Sequence, residues 1–361
     1  MDIQQKPVSI LTGFLGAGKT TFLNHLLNEN KHIRYAIIEN EFGEQGIDGE
    51  LVIHPEGDDT IVEMNNGCLC CTLNDNLYEI INELYVRRDE FDELIIEATG
   101  VADPTGLAQP FLTHPLIQKH FPLKGVICLV DAELIETQLK NTEEAKNQVA
   151  FSDVLLINKT DRVDAAHIKE LSQKLQQQNP LASIVQGNRE SYPVIELNPE
   201  KSPLEELFHK EHHHEHHNHN YDHHEHHDHH DHKHHQEIET EFPVAKPHSH
   251  HHHSHTEEIV SHTFHFDQPF DYNILDRHLF VYLMLHAEGL YRMKGLVWLD
   301  GGEDQYLVQS VGTQLEIEEK RAWMPNEKRK SVMVFIGKNL VRKDIEELLN
   351  KCISKRDSIH P

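Results

Sequence analysis

The sequence predicts an α/β fold with a doubly wound, mainly parallel sheet, followed by a histidine-rich linker and a small α+β domain. In the first half, short apolar runs alternate with amphipathic segments, which is typical of β-α-β units. A segment dominated by histidine follows, and strand-like alternation resumes after it. The 361 residues suffice for two ordinary domains and a linker. We therefore expect domains at 1–208 and 258–361, with the linker at 209–257.

The prediction of the first domain rests on apolar, strand-like runs that alternate with segments of helical periodicity. Because parallel strands are covered on both faces, their apolar runs are continuous. The predicted strands are 8–11, 34–38, 93–97, 125–130 and 154–157, and the predicted helices are 20–28, 77–85 and 133–149.

The linker has almost no apolar residues and no periodicity, so we expect it to be disordered. Beyond it, the predicted strands are 259–266, 295–299, 305–311, 314–318 and 331–336, with helices at 270–286 and 340–353.

Composition excludes several classes of protein. The formal net charge of −27 argues against nucleic acid and anionic membrane as partners. No stretch approaches the length of a membrane span, and the first residues lack the apolar core of a secretory signal. Five cysteines, three of them close together, do not form a disulfide framework. A cytoplasmic protein is therefore expected.

The run from Gly13 to Thr20 matches the phosphate-binding P-loop pattern, G-x-x-x-x-G-K-[ST]. Its backbone N–H groups and the following helix N-terminus favour phosphate. We expect Lys19 to contact the β- and γ-phosphates and Thr20 to bind Mg²⁺.

A second motif, Asn-Lys-Thr-Asp at 158–161, selects the base. Asp161 can accept both the ring N–H and the exocyclic amine of guanine, whereas adenine offers no such donor pair. Lys159 is expected to pack along the base, and residues 183–187 are a further candidate base-contacting loop. The expected GTP contacts are Gly13, Gly16, Ala17, Gly18, Lys19, Thr20, Thr21, Asn158, Lys159 and Asp161.

Glu97 ends a buried strand at the position where P-loop proteins place the acid that binds Mg²⁺, usually through water. Lys19, Thr20 and Glu97 are therefore the expected catalytic residues. Since no glutamine or arginine stands out as a water-positioning or charge-stabilising residue, we expect slow intrinsic GTP hydrolysis.

A Cys-x-Cys-Cys run at 68–71 predicts a metal site, and thiolates with carboxylate or imidazole suit Zn²⁺. In an extended loop Cys68 and Cys70 face the same way, while Cys71 points elsewhere. A loop of free or redox-active thiols is the alternative. If Glu39 and Glu44 joined Cys70 at one metal, zinc binding would favour one conformation of a loop that also responds to the γ-phosphate.

The histidine-rich segment contains most of the chain's 33 histidines, mixed with acids. It offers many imidazoles without fixed geometry, so we expect weak binding of several divalent ions that are released as the pH falls through roughly 6.5. A purification tag and a merely solvating linker are the alternatives.

Together these motifs resemble the CobW family of P-loop GTPases, in the subgroup named for a glutamate in the second Mg²⁺ motif. The resemblance extends over nearly the whole chain, including residues 291–298 and 331–337 near its end. It implies a GTP-dependent metallochaperone that delivers zinc, or in some branches cobalt or nickel, to a client apoenzyme. It also implies that Glu39, Glu44 and Cys70 are the ligands of one internal metal site.

Two other functions remain open from the sequence. One is a zinc store whose nucleotide site regulates capacity, and the other is a nickel or cobalt insertion GTPase. The acidic surface and metal loading also leave metal-dependent self-association open.

Overall fold

The computed structural model describes residues 4–39, 61–63, 73–195, 197, 202–209 and 258–355, with residues 39, 61–63 and 73–76 described by their backbone alone. Seven strands form the first sheet, and every neighbouring pair is parallel. They are β1 Val8–Gly13, β2 Tyr35–Glu39, β3 Ile61–Glu63, β4 Glu93–Glu97, β5 Leu123–Asp131, β6 Val154–Asn158 and β7 Ser183–Gln186. Their order, β3-β2-β4-β1-β5-β6-β7, confirms the doubly wound sheet.

Helices cover both faces of this sheet, as the apolar strands require. They are α1 Lys19–Glu29, α2 Leu73–Val86, α3 Pro104–Thr113, α4 Pro115–His120, α5 Ile135–Asn141, α6 Glu143–Phe151, α7 Ala165–Gln178 and α8 Pro203–His209.

Four of these helices, α3, α4, α7 and α8, went unpredicted, although each begins with a helix-start signal; in α8 this is a proline followed by two acidic residues in the first turn. Asp103 caps α3 by accepting a hydrogen bond from the Thr105 N–H at 2.9 Å, and Pro104 occupies the first turn. A proline also opens α4. Asp164 caps α7 by accepting from the His167 N–H at 2.8 Å. Cap residues were therefore more informative here than apolar periodicity.

Two local predictions were wrong. The single helix expected at 133–149 is two helices, because Thr142 adopts an extended backbone and Glu143 starts a new helix with acidic residues in its first turn. Residues 183–186, expected to be loop, form strand β7 at the edge of the sheet. The segment is short and only partly buried, so its apolar signal is weak.

The second sheet is antiparallel and carries two helices, which confirms the α+β prediction. Its strands are β8 Val260–Phe266, β9 Leu290–Trp298, β10 Asp304–Val311, β11 Gln314–Ala322 and β12 Ser331–Gly337, with helices α9 Tyr272–Leu285 and α10 Arg342–Lys351. The order is β11-β10-β9-β12-β8. Described residues of both sheets belong to one compact unit. Among the described helices, none combines the length and the apolar character that a membrane crossing requires.

Strand β9 begins five residues before the predicted one because its first half contains polar side chains that face the first sheet. The Arg292 guanidinium lies 2.6 Å from Asp153 Oδ1, and it donates to the carbonyl oxygens of Phe151 and Ser152 at 2.6 and 3.0 Å. Asp153 also accepts from the Val126 N–H at 2.9 Å. Burial alone would raise the pKa of Asp153, but Arg292 and Lys294 together lower it. This ion pair joins the second sheet to the first.

Lys294, on the same strand, is a partly buried lysine whose ammonium lies 3.9 Å from Asp153 Oδ1. Burial lowers its pKa from 10.5 to about 8. Between these pH values the folded chain binds fewer protons than the unfolded chain, so this residue makes the unfolding free energy rise with pH. We expect Lys294→Met to remove this rise, worth about 1–3 kcal/mol, since one pKa unit corresponds to about 1.4 kcal/mol.

Urea unfolding at pH 7 and pH 10 measures the effect. The exposed Lys343, changed in the same way, is the control and should keep the rise of the unmodified protein. A Lys294→Met protein with the same pH dependence as the unmodified chain would contradict the low pKa.

Candidate nucleotide site

The turn between β1 and α1 is built by glycines in left-handed backbone conformations. Gly16 and Gly18 have φ of 75° and 100°. A Cβ on Gly18 would lie 2.5 Å from Nδ2 of Asn158, and one on Gly13 would lie 2.5 Å from the carbonyl oxygen of Leu129. Only glycine fits these positions without displacing its neighbours.

The N-terminus of α1 opens at this turn, directly after Gly18. Among the described residues, no side chain caps the helix. Its first-turn N–H groups therefore remain available for an anion, which the helix dipole also favours. A glycine turn followed by an uncapped helix fits a phosphate group.

Three predicted side chains meet beside this turn. The Lys19 ammonium donates to the carbonyl oxygen of Gly13 at 2.9 Å, and the Thr20 hydroxyl donates to Oε1 of Glu97 at 3.1 Å. Burial lowers the pKa of Lys19, and the neighbouring Glu97 opposes that shift. The structure thus brings together Lys19, Thr20 and Glu97 from α1 and the end of β4.

The Thr20–Glu97 contact also fits a magnesium ion. Oγ1 of Thr20 and Oε1 of Glu97 lie 3.1 Å apart, so an ion bound to the hydroxyl would reach the carboxylate directly or through water. A hydroxyl and a carboxylate are both oxygen ligands of the kind that Mg²⁺ selects.

Asn158 connects the two nucleotide motifs. Its amide Nδ2 donates to the carbonyl oxygen of Ala17 at 2.8 Å, and its Oδ1 accepts from the Lys159 N–H at 2.9 Å. The side chain is 2% exposed. Asn158 therefore holds the P-loop against the base-recognition motif, a role that its place in the motif did not reveal.

Lys159 is held by a residue that the sequence analysis missed. Its ammonium lies 2.6 Å from Oδ2 of Asp131 and donates to the carbonyl oxygen of Gly16 at 2.6 Å. Asp131 is buried at the carboxyl end of β5. An acid directly after the apolar run 125–130 was the available signal, because polar residues at that end of a parallel sheet face the ligand side.

Asp161 lies in a short 3₁₀ turn, Thr160–Arg162, and is exposed. Its neighbour Thr160 donates its hydroxyl to the carbonyl oxygen of Gly187 at 3.1 Å, so the turn is fixed against the end of β7. Thr21, in the first turn of α1, is also exposed. Their predicted contacts with GTP stay predictions.

Of the predicted metal ligands, Glu44, Cys68, Cys70 and Cys71 lie outside the described residues, and so do residues 210–257 of the histidine-rich linker, whereas His209 ends α8. The backbone of Glu39 is described, and it pairs in register with Glu97 on the adjacent strand. Within the described ranges, no group of three or more histidines, cysteines and acids could hold a metal.

Two further cysteines are described, and both are buried free thiols. Burial raises the pKa of Cys128 to about 12 and that of Cys352 to about 11. Neither is therefore suited to bind metal as a thiolate at neutral pH.

Comparison with known proteins adds two domain matches. Residues 7–186 match the nucleotide-binding domain of the CobW/HypB/UreG family. Residues 259–353 match the C-terminal domain of the cobalamin synthesis protein CobW.

Several characterised proteins are similar over most of their length. The zinc chaperone YjiA of Escherichia coli K12 is 33% identical, over 94% of this chain and 96% of its own. The zinc chaperone CobW of Pseudomonas aeruginosa is 30% identical, over 96% and 92%. The crystal structure of Zn(II)-bound YjiA GTPase from E. coli superposes with a TM-score of 0.62 at 28% identity, covering 98% of this chain and 100% of that one.

The first domain match covers the parallel sheet, and the second covers the antiparallel sheet. The P-loop, Glu97 and Asn158 lie at the carboxyl ends of strands of the parallel sheet. The chain belongs to the CobW family of nucleotide-binding proteins.

Proposed function

We propose that the protein is a GTP-hydrolysing metallochaperone that binds Zn²⁺ at Glu39, Glu44 and the cysteines of the 68–71 run and delivers it to a client metalloprotein. The names of its relatives, two zinc chaperones of similar length, support zinc as the metal. In this proposal the nucleotide state sets the affinity for zinc.

The register between β2 and β4 carries the proposal. Glu39 and Glu97 are paired residues at the ends of neighbouring parallel strands, whose backbones lie about 4.8 Å apart. Glu97 contacts the Thr20 hydroxyl in the P-loop helix. The proposed zinc ligand Glu39 and the proposed Mg²⁺-binding acid Glu97 therefore lie side by side at the carboxyl ends of two paired strands. Movement of one strand end would displace the other.

In the proposed nucleotide site, each group of residues has a separate role that follows from its position. The P-loop N–H groups and Lys19 bind the phosphates, Asp161 recognises guanine, and Thr20 with Glu97 would hold Mg²⁺, which neutralises phosphate charge. We expect slow hydrolysis by the isolated protein. A client or the metal itself would then accelerate it.

The coupling is tested by measuring zinc affinity by chelator competition on the full chain, with GDP and with a non-hydrolysable GTP analogue plus Mg²⁺. A version whose histidines between 211 and 255 are changed to asparagine isolates the tight site. We expect the two nucleotide states to differ about 5–150-fold in zinc affinity, which is the usual range of allosteric coupling.

Matched thiol variants locate the site. Cys70→Ser should abolish the difference, whereas Cys352→Ser, at a buried thiol of the second sheet, should retain it. Equal zinc affinities in both nucleotide states would contradict the coupling and favour zinc storage. Tighter binding of nickel or cobalt at the same site would contradict zinc as the cargo.

A further inference from the structure

Helix α6 lies between the nucleotide site and the second sheet and has contacts to both. From its middle, Gln148 Nε2 donates to the carbonyl oxygens of Gly100 and Ala102, each at 3.2 Å. Gln148 is 1% exposed. Both carbonyls belong to the segment that follows Glu97, which we call the post-β4 loop, residues 98–102.

The post-β4 loop is in direct contact with the P-loop. A Cβ on Gly100 would lie 2.7 Å from the backbone nitrogen of Leu15 and 2.6 Å from its side chain, so the two loops touch without space for a larger residue. The loop also begins beside Glu97, which contacts Thr20. We therefore expect a change of nucleotide that moves Glu97 or the P-loop to move the carbonyls that Gln148 binds.

The second sheet holds both ends of α6. At the N-terminal end, Glu143 Oε2 accepts from the Tyr291 hydroxyl at 2.8 Å and from the Lys338 ammonium at 3.1 Å. At the C-terminal end, Arg292 donates to the carbonyls of Phe151 and Ser152, which have no partner within the helix itself. The helix cannot shift along its axis without changing contacts to β9 or to the end of β12.

We propose that Gln148 is a positioning residue that couples the post-β4 loop to the second sheet through α6. The inference rests on the proposed use of GTP, because segments that respond to the γ-phosphate change on hydrolysis. Gln148 contacts neither phosphate nor metal in this proposal. It transmits the position of the loop to a domain that lies outside the nucleotide site.

The test measures the affinities of the full chain for GDP and for a non-hydrolysable GTP analogue with Mg²⁺, together with urea unfolding. Gln148→Met keeps the length of the side chain and removes the donor, and Tyr291→Phe removes one hydroxyl in the second sheet. Each should change the ratio of the two affinities at least about 5-fold. In the double variant, Tyr291→Phe should have no further effect on that ratio, because the connection is already broken.

Ser261→Ala is the matched control. The Ser261 hydroxyl also joins the second sheet to the first domain, by donating to the Gln177 carbonyl at 2.5 Å, and this partner lies on α7 rather than on α6. Its loss should lower the unfolding free energy and leave the affinity ratio unchanged. A purely structural role for Gln148 would give the same pattern as this control.

An unchanged ratio in Gln148→Met, or independent effects of the two variants, would overturn the proposal. Should Gln148→Met fail to fold, Tyr291→Phe alone decides, since an unchanged ratio there also overturns it. Failure of the proposed function looks different, because the unmodified chain would then show no GTP turnover and no preference between the two nucleotides.

Discussion

Replacing Arg292 with methionine is expected to destabilise the protein by about 3–5 kcal/mol. The variant keeps most of the side-chain volume but removes the closer of the two cations beside the partly buried Asp153 carboxylate and leaves only the Lys294 ammonium, 3.9 Å away. It also removes the Arg292 donor from the carbonyls of Phe151 and Ser152 at the end of α6, of which the Ser152 carbonyl keeps a hydrogen bond from Asn179. Both losses weaken the junction between the two sheets, so the midpoint of urea unfolding should fall strongly.

A second substitution separates the lost charge pair from the lost helix contact. In Arg292→Met with Asp153→Asn, both charges of the 2.6 Å pair are removed together, so we expect part of the stability to return. Arg277→Met, at an exposed arginine of α9, controls for the loss of a positive charge and should change stability little. If Arg292→Met resembled Arg277→Met, the ion pair would not stabilise the junction.

Replacing Lys19 with methionine is expected to lower GTP turnover by about 10²–10³-fold, the usual cost of removing one donor that stabilises transition-state charge. The variant removes the ammonium next to the glycine turn and leaves the backbone N–H groups in place. Burial disfavours the charged form of Lys19 and lowers its pKa, so its loss should not destabilise the nucleotide-free protein. Activity should fall while the unfolding free energy stays the same or rises.

Steady-state turnover and urea unfolding, measured on the same preparation, test both parts of this prediction. Lys31→Met, at an exposed lysine just beyond α1, is the control and should keep full turnover. Unchanged turnover in Lys19→Met would exclude Lys19 from phosphate binding, and a large loss of stability would show that its main role is structural.

The sequence predicts the central sheet well because its strands are buried on both faces. Residues 94–96 and 154–157 are continuous apolar runs, and burial of this kind leaves a clear pattern. The start of β9 was missed because Arg292 and Lys294 are charged residues that face the interior of the protein and contact Asp153 there. Apolar patterns cannot reveal a buried interface formed by charges.

In the nucleotide site, too, some residues are predictable from the sequence and others are not. Gly18 and Lys19 were predicted because a fixed spacing identifies them, and the structure places them beside Thr20 and Glu97. Asp131 and Gln148 act through contacts 28 and 48 residues away along the chain, and no short motif contains such pairs. Only the folded arrangement of strands and helices reveals them.

The place of β2 and β3 in the sheet has an evolutionary consequence. In chain order, residues 40–60 follow β2 and residues 64–72 follow β3, and among the described strands β4 is the other neighbour of β2. Exchanging residues 39–72 for the equivalent segment of a relative would replace all the proposed zinc ligands and would leave the sequences of β1, β4, β5 and β6 unchanged. If these residues bind the metal as proposed, the metal preference would change with this one segment of the chain while the nucleotide motifs stay the same.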